Sequence, residues 1–224
     1  MKKFIKILLS RVPFKDFFVS IIYKTRKFPG SKNYWEQRYL SSGNSGPGSY
    51  HELSKFKAQV INNFVSQKNI QSVIEFGCGD GNQLKLMKYK EYLGIDVSKT
   101  IISRCQDLFL EDKSKNFLTL EKYQNESAEL SLSLDVIFHL VEDHVFVDYL
   151  NKLFNASKKF VVIYSSNYDS NTEWHVKHRK FTYWVEQNIN DFALIQTVKN
   201  KYPFLGDVNK GSFSDFYIYQ KIKI

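Results

Sequence analysis

The run Glu75-Phe76-Gly77-Cys78-Gly79-Asp80-Gly81 constrains the fold more than any other segment of this chain. It follows a β-rich stretch, Gln71 to Phe76, and precedes Asn82 to Lys88, where the composition allows a helix to restart. Glycines at alternate positions permit positive φ and let a ligand approach the main chain without meeting a Cβ. A second β-rich run, Tyr92 to Asp96, ends in an acid. Ser98 then offers a cap for a helix from Lys99 to Leu110. A strand, a glycine turn, a helix and a second strand closed by an acid are the parts of an open α/β sheet. Such sheets bind ligands beyond the carboxyl ends of their strands.

The remaining pattern extends this unit. Leu53, Phe56, Val60, Ile61 and Phe64 recur at spacings of three and four, which predicts an amphipathic helix over Glu52 to Ser66. Strand patterns fall at Phe117 to Leu120, Glu129 to Leu134 and Phe160 to Tyr164, with helix patterns at Val145 to Leu153 and Tyr183 to Ile189. Two last strand-like runs, Phe192 to Val198 and Phe213 to Lys221, follow each other with no helix between them, as in an antiparallel edge pair. Alternating strands and helices predict an α/β fold with a mostly parallel sheet. The Gly/Ser-rich segment 41–49 reads as a flexible loop, either a linker or a lid. The boundary drawn is a helical and lid segment over 1–50 and one domain over 51–224.

Composition excludes several classes. Apolar residues make up 43%, with 19 Phe and 14 Tyr, enough to build a core that a disordered chain could not. Two cysteines, Cys78 and Cys105, are too few for a disulfide framework or a Cys-based zinc site, and suit a reducing compartment. The net charge of +9 is spread along the chain rather than gathered on one element, so it favours a solvated surface over a nucleic-acid footprint. Between Met1 and Tyr23, Lys6, Arg11, Lys15 and Asp16 interrupt the apolar residues, which excludes a membrane span. The expectation is an amphipathic segment packed on a cytoplasmic domain, with peripheral contact to an anionic membrane as the alternative.

An acid after the second strand can accept hydrogen bonds from both hydroxyls of a ribose. The glycine turn reads G-x-G-x-G, two residues after Glu75, not the G-x-G-x-x-G of dinucleotide sites. From about Leu53 to Ile224 the chain resembles the class I S-adenosylmethionine-dependent methyltransferases. The resemblance implies a Rossmann-like, seven-stranded, mostly parallel sheet with helices on both faces and an antiparallel last strand. It also implies S-adenosylmethionine as cofactor and S-adenosylhomocysteine as product. By the same resemblance Gly77 and Gly79 lie against the methionine and ribose, with Cys78 and Gly81 completing the turn. Glu75 approaches the methionine amino group, Asp96 holds the ribose, Val97 lines the adenine pocket and Glu121 adds a polar adenine contact.

The segment Ser133-Leu134-Asp135-Val136-Ile137-Phe138-His139-Leu140 is similar to the region that faces the acceptor in small-molecule methyltransferases. It implies Asp135 near the reactive methyl and His139 near the acceptor. A histidine titrating near pH 6.5 can take a hydroxyl proton. Trp174 to Arg179 places His175, His178 and Arg179 where an anionic acceptor could be gripped, or else forms a solvated basic loop. The His-x-x-His spacing there is not matched by further nearby ligands, so no metal is expected. Tyr34, Trp35, Arg38 and Tyr50 flank the 41–49 loop as candidate lid and acceptor contacts.

No proline-containing motif follows Ser133 to Phe138, and neither cysteine is placed as a nucleophile for carbon methylation of cytosine. A small molecule or glycan is therefore the expected acceptor. Tyr34 to Tyr39, Gly43 to Gly46, Glu75 to Gly81 and Ser133 to Leu140 together resemble a narrower bacterial group linked to polysaccharide biosynthesis. That resemblance implies a sugar, sugar phosphate or phosphoramidate substituent. The alternatives are methylation of RNA or protein, and an inactive cofactor-binding partner protein.

Overall fold

The computed structural model describes residues 28–222. The expectation of an amphipathic segment before Tyr23 lies outside the described residues. Seven strands form one sheet in the order β3-β2-β1-β4-β5-β9-β8. They are β1 (Ser72–Phe76), β2 (Glu91–Asp96), β3 (Lys115–Thr119), β4 (Ala128–Leu134), β5 (Ser157–Ser165), β8 (Phe192–Val198) and β9 (Asp215–Lys221). The first five run parallel, and β9 pairs antiparallel with both β5 and β8. This is the Rossmann-like, seven-stranded sheet that the family resemblance implies, closed by an antiparallel last strand.

Period-two alternation sorts the strand side chains into two apolar layers. From β5, Val162 and Tyr164 face one layer while Val161 and Ile163 face the other. From β9, Phe216 and Ile218 join the first and Tyr217 and Tyr219 the second. The first layer packs against α2 (His51–Gln67) and α3 (Lys99–Leu108), which contribute Ile61, Phe64, Ile102 and Cys105. The second packs against α4 (Asp143–Asn155) and α5 (Phe181–Asn188), through Phe146, Leu150, Leu153 and Val185. Burying each such side chain contributes roughly 1.5–3 kcal/mol before entropy. Strands covered on both faces must be apolar throughout, hence the unbroken run from Phe160 to Tyr164.

Sheet order reverses between β1 and β4, and a crevice opens there at the carboxyl ends of the strands. Helix α1 (Ser31–Leu40) lies across it. Glu142 at the start of α4 caps α1 from outside, accepting from Ser31 N at 2.9 Å and from Ser31 Oγ at 2.5 Å. At the other end Arg104 of α3 donates to Tyr39 O at 2.6 Å, and Thr100 Oγ1 donates to Glu36 at 2.6 Å. Ser98 caps α3 as expected, its hydroxyl accepting from Ile101 N. Such a cap contributes about 1 kcal/mol.

One expectation fails locally. Asn82 to Lys88 forms only a single 3₁₀ turn, Leu84–Leu86, instead of a helix. Leu84 and Met87 bury into the first layer, and after Met87 the chain extends directly towards β2. The polar stretch after β5 holds a short hairpin, β6 (Ser170–Glu173) with β7 (Val176–His178).

Candidate active site

The crevice encloses a cavity of about 330 Å³. Its floor is the turn after β1. Gly77 and Gly79 have φ of +80° and +60°, which favour glycine. A Cβ on Gly77 would lie 2.4 Å from Val136 Cγ2, and one on Gly79 would lie 2.4 Å from Ser45 Oγ. Both positions therefore need glycine for conformation and for space. Asp96, at the end of β2, accepts from Gly79 N at 3.1 Å and from Ser98 N at 3.0 Å. Burial raises this carboxyl to about 6 against those stabilising bonds. A carboxylate has about four acceptor positions, so beyond these bonds and a further contact from Val97 N it keeps acceptor capacity for a ligand. Glu75 also lines the cavity, and burial pushes it up to about 7 although Tyr92 donates to it at 2.7 Å. Val97, Leu120, Leu140 and Val145 give one end an apolar wall.

The 41–49 loop closes the opposite side. The sequence reading made it flexible, but the glycine turn holds it down. Ser45 N donates to Asp80 Oδ2 at 2.8 Å, and Asp80 N returns a bond to Ser45 Oγ at 2.8 Å. Tyr50 donates to the same carboxylate at 2.7 Å, and Asn82 Nδ2 donates to Ser49 O at 2.7 Å. Polar side chains at fixed offsets have turned a Gly/Ser-rich stretch into a docked lid.

Beyond β4, Asp135 takes φ of +59°, an uncommon conformation for an aspartate, and lines the cavity. Its Oδ2 is 2.7 Å from Lys57 Nζ, and its Oδ1 accepts from Ser214 Oγ at 3.0 Å. Two residues later the 3₁₀ turn Ile137–His139 carries His139 to the cavity wall, edge-on to Trp35 at 5.0 Å. His139 Nδ1 is 3.3 Å from the carbonyl of His175, which makes Nδ1 the protonated nitrogen and leaves Nε2 as the acceptor. Desolvation pushes this imidazole down to about 3, against the contribution of that hydrogen bond. The ordinary histidine titration expected from the sequence is thus displaced, and the ring stays neutral.

Residues 74–162 match the family described as "Methyltransferase domain". The chain carries an S-adenosylmethionine-dependent methyltransferase domain. Solved structures share its fold. Magnesium protoporphyrin IX methyltransferase from Synechocystis PCC 6803 with bound SAM has a TM-score of 0.63 at 13% identity, covering 88% of this chain and 100% of that one. N-methyltransferase NodS from Bradyrhizobium japonicum WM9 with S-adenosyl-L-homocysteine gives 0.60 at 11%, covering 76% and 88%. A methyltransferase from Clostridium acetobutylicum ATCC 824 gives 0.57 at 12%, covering 74% and 91%. No curated protein sequence matches the chain.

In this methyltransferase the cavity gathers Trp35, Glu75, Gly77, Cys78, Gly79 and Asp96, together with Val97, Asp135 and His139. The other expected site residues lie elsewhere. Gly81 does not line the cavity; a Cβ there would meet Phe109 and Leu108 at the end of α3. Glu121 is bound by Lys32 and Lys99 at the surface, and those hydrogen bonds pull it down to about 2. Its neighbour Leu120 supplies the wall instead. Tyr34 stacks on His175 at 4.8 Å, and His175 stacks on His139 at 5.7 Å, which puts both behind the wall. Arg38 donates to Asn44 O at 2.6 Å and covers Trp35, so it organises the lid. Tyr50 does the same through Asp80.

Two members of the basic segment are committed to structure. His178 is buried and its Nδ1 is 2.6 Å from Ser166 Oγ. Arg179 donates to Leu140 O at 2.6 Å and Val141 O at 2.9 Å and pairs with Asp143. These bonds take four of the five Arg179 N–H donors and one ring nitrogen of His178, so both side chains serve the hairpin before any acceptor. Sequence reasoning missed Lys57, which the amphipathic pattern of α2 places among core residues with no separate signal. Among the described residues no group of three or more His, Cys, Asp or Glu side chains could hold a metal ion. Nor is any described helix long and apolar enough to cross a membrane.

Proposed function

We propose that this methyltransferase transfers a methyl group to an oxygen of a small cytoplasmic acceptor: a sugar, sugar phosphate or related surface-polysaccharide precursor, phosphoramidate substituents included. The observation that carries the reading is the cavity between Asp96 and Asp135, floored by the glycine turn and roofed by α1 and the docked loop. Its residues fit the cofactor. Asp96 has acceptor positions for the ribose hydroxyls, Glu75 has one for an ammonium, and the wall of Val97, Leu120 and Val145 suits a flat apolar ring. S-adenosylmethionine supplies the activated methyl.

The protein's own contribution is alignment and the exclusion of water. Trp35 and the lid cover the acceptor end. His139 presents Nε2 as a hydrogen-bond acceptor and orients an acceptor hydroxyl; so weak a base holds the proton only in passing. The roof of α1 and the docked loop over this half-open cavity favours a small acceptor over a nucleic acid strand. The glycan class rests on the resemblance carried by Tyr34 to Tyr39, Gly43 to Gly46 and Ser133 to Leu140.

Calorimetric titration with S-adenosylmethionine and S-adenosylhomocysteine tests the cofactor, followed by methyl-transfer assays on sugar phosphates and nucleotide-linked sugars. One-to-one binding and turnover on one of these acceptors is the expected result. Binding with turnover only on RNA or protein would overturn the acceptor class.

A further inference from the structure

We propose that the ammonium group of Lys57 is an anion-binding point for the acceptor, taking a phosphate, phosphoramidate or carboxylate oxygen at the end of the cavity remote from Asp96. The inference rests on the functional reading above and deepens it. Lys57 projects from α2, is 1% exposed and lines the cavity. Lysine is almost never so buried unless its charge is answered. Asp135 answers it directly, Nζ donating to Oδ2 at 2.7 Å, and Glu75 of the same cavity lies near enough to feel its charge. An ammonium has three donors, so two remain. On another side Nζ lies 5.4 Å from the centre of the Tyr164 ring, a cation–π contact that leaves N–H groups free to point elsewhere.

Position in the sheet separates this group from the ribose end. The ribose acid closes β2 and the glycine turn closes β1. Lys57 sits above β4 and β5, between Asp135 at the end of one and Tyr164 near the end of the other, whose backbones are joined by Asp135 N to Tyr164 O at 2.9 Å. Ser214, just before β9, completes the cluster from further along the sheet. A ligand running from Asp96 across the glycine turn reaches these groups last.

The surroundings are shaped to keep the pair in place. Gly48 of the lid passes so close that a Cβ there would lie 2.6 Å from Asp135 Oδ2 and 3.8 Å from Lys57 Nζ. Four separate segments therefore converge on one charge pair, its lysine buried and its aspartate partly so: the lid, α2, the end of β4 and the approach to β9. Burying two charges costs more than an apolar contact of the same volume would, so such a pair is weak evidence for stability and better evidence for a task. An anion entering beside Asp135 meets a cation that has already lost its water, so only the anion's own desolvation and its repulsion from Asp135 stand against the pairing.

The test uses the full chain saturated with S-adenosylhomocysteine and titrated calorimetrically with inorganic phosphate, for wild type, Lys57→Gln and Lys57→Arg. Glutamine keeps a donor for Asp135 while removing the charge; arginine keeps the charge. The expected result is phosphate binding in wild type and in the arginine variant, and weakening of roughly 10- to 100-fold in the glutamine variant, the range of a lost charge-assisted hydrogen bond. Affinity for S-adenosylhomocysteine stays unchanged in all three. Equal phosphate binding in wild type and Lys57→Gln, or none in wild type, overturns the inference alone. A fall in S-adenosylhomocysteine affinity in Lys57→Gln also overturns it, since the lysine would then serve the cofactor's own carboxylate. Wild-type protein that binds no S-adenosylhomocysteine overturns the functional reading and this inference with it. Should the glutamine variant not fold, diffraction from wild-type crystals soaked in phosphate decides: an anion about 2.8 Å from Nζ supports the site, and its absence there refutes it.

Discussion

Replacing Asp80 with alanine removes the carboxylate that ties the 41–49 loop to the glycine turn. Two loop donors lose their acceptor, Ser45 N at 2.8 Å and the Tyr50 hydroxyl at 2.7 Å. A third bond, from Asn82 N, is internal to the turn and does not hold the loop. Both loop donors can turn to water when the loop lifts, so each bond contributes only its net value of about 1 kcal/mol. Together they shift the balance between docked and lifted lid by roughly 2 kcal/mol, or about 30-fold. The return bond from Asp80 N to Ser45 Oγ survives the substitution and keeps the loop in register. Because Trp35 lines the cavity, stopped-flow tryptophan fluorescence can follow release of S-adenosylhomocysteine. Dissociation should accelerate by about that 30-fold factor, and the loop should become open to limited proteolysis. An unchanged dissociation rate would refute the reasoning, because the loop would then not stand between ligand and solvent.

Asp96→Ala should weaken S-adenosylhomocysteine binding by about 100-fold in calorimetry, since charged ribose contacts are lost. It should also lower the melting temperature, because Gly79 N and Ser98 N lose their acceptor; unchanged affinity would remove the cofactor from this crevice. The His139 ring should show no protonation step by nitrogen NMR between about pH 5 and 8, and a midpoint near 6.5 would refute its desolvation. Glu75, raised from 4.5 to about 7, favours the protonated fold: its contribution to stability is full below pH 4.5 and is lost as pH rises through about 7. Glu75→Gln should therefore flatten the melting temperature of ligand-free protein across that window, and an unaltered slope would show that the carboxyl is not the source.

Regular elements were legible because their patterns are local. Strands β1, β4, β5 and β8 and helices α2 and α4 announce themselves by apolar runs or by spacings of three and four. The glycine turn and Asp96 were legible because their backbone demands admit few residue types. What stayed hidden depends on partners distant in sequence. Glu121 and Leu120 are adjacent, yet Lys32, 89 positions earlier, draws the carboxylate to the surface and leaves the leucine to the cavity. Lys57 satisfies the helix pattern of α2 as a neutral placeholder would, and only the arrival of Asp135, 78 positions on, turns it into a site residue. The loop at 41–49 has the composition of a flexible linker, and no local signal reveals that Asp80 will anchor it.

The Arg179 clamp has a consequence for how such a protein could change its diet. By binding the carbonyls of Leu140 and Val141 and the carboxylate of Asp143, it welds the β6–β7 hairpin to the start of α4. The hairpin brings His175 against His139, and Tyr34 of α1 stacks on its outer side. Trading one acceptor for another by single substitutions along this stack would break contacts on both sides at once. A working exchange would have to graft residues 168–180 as a cassette, with the tip of the hairpin varied and the arginine weld retained.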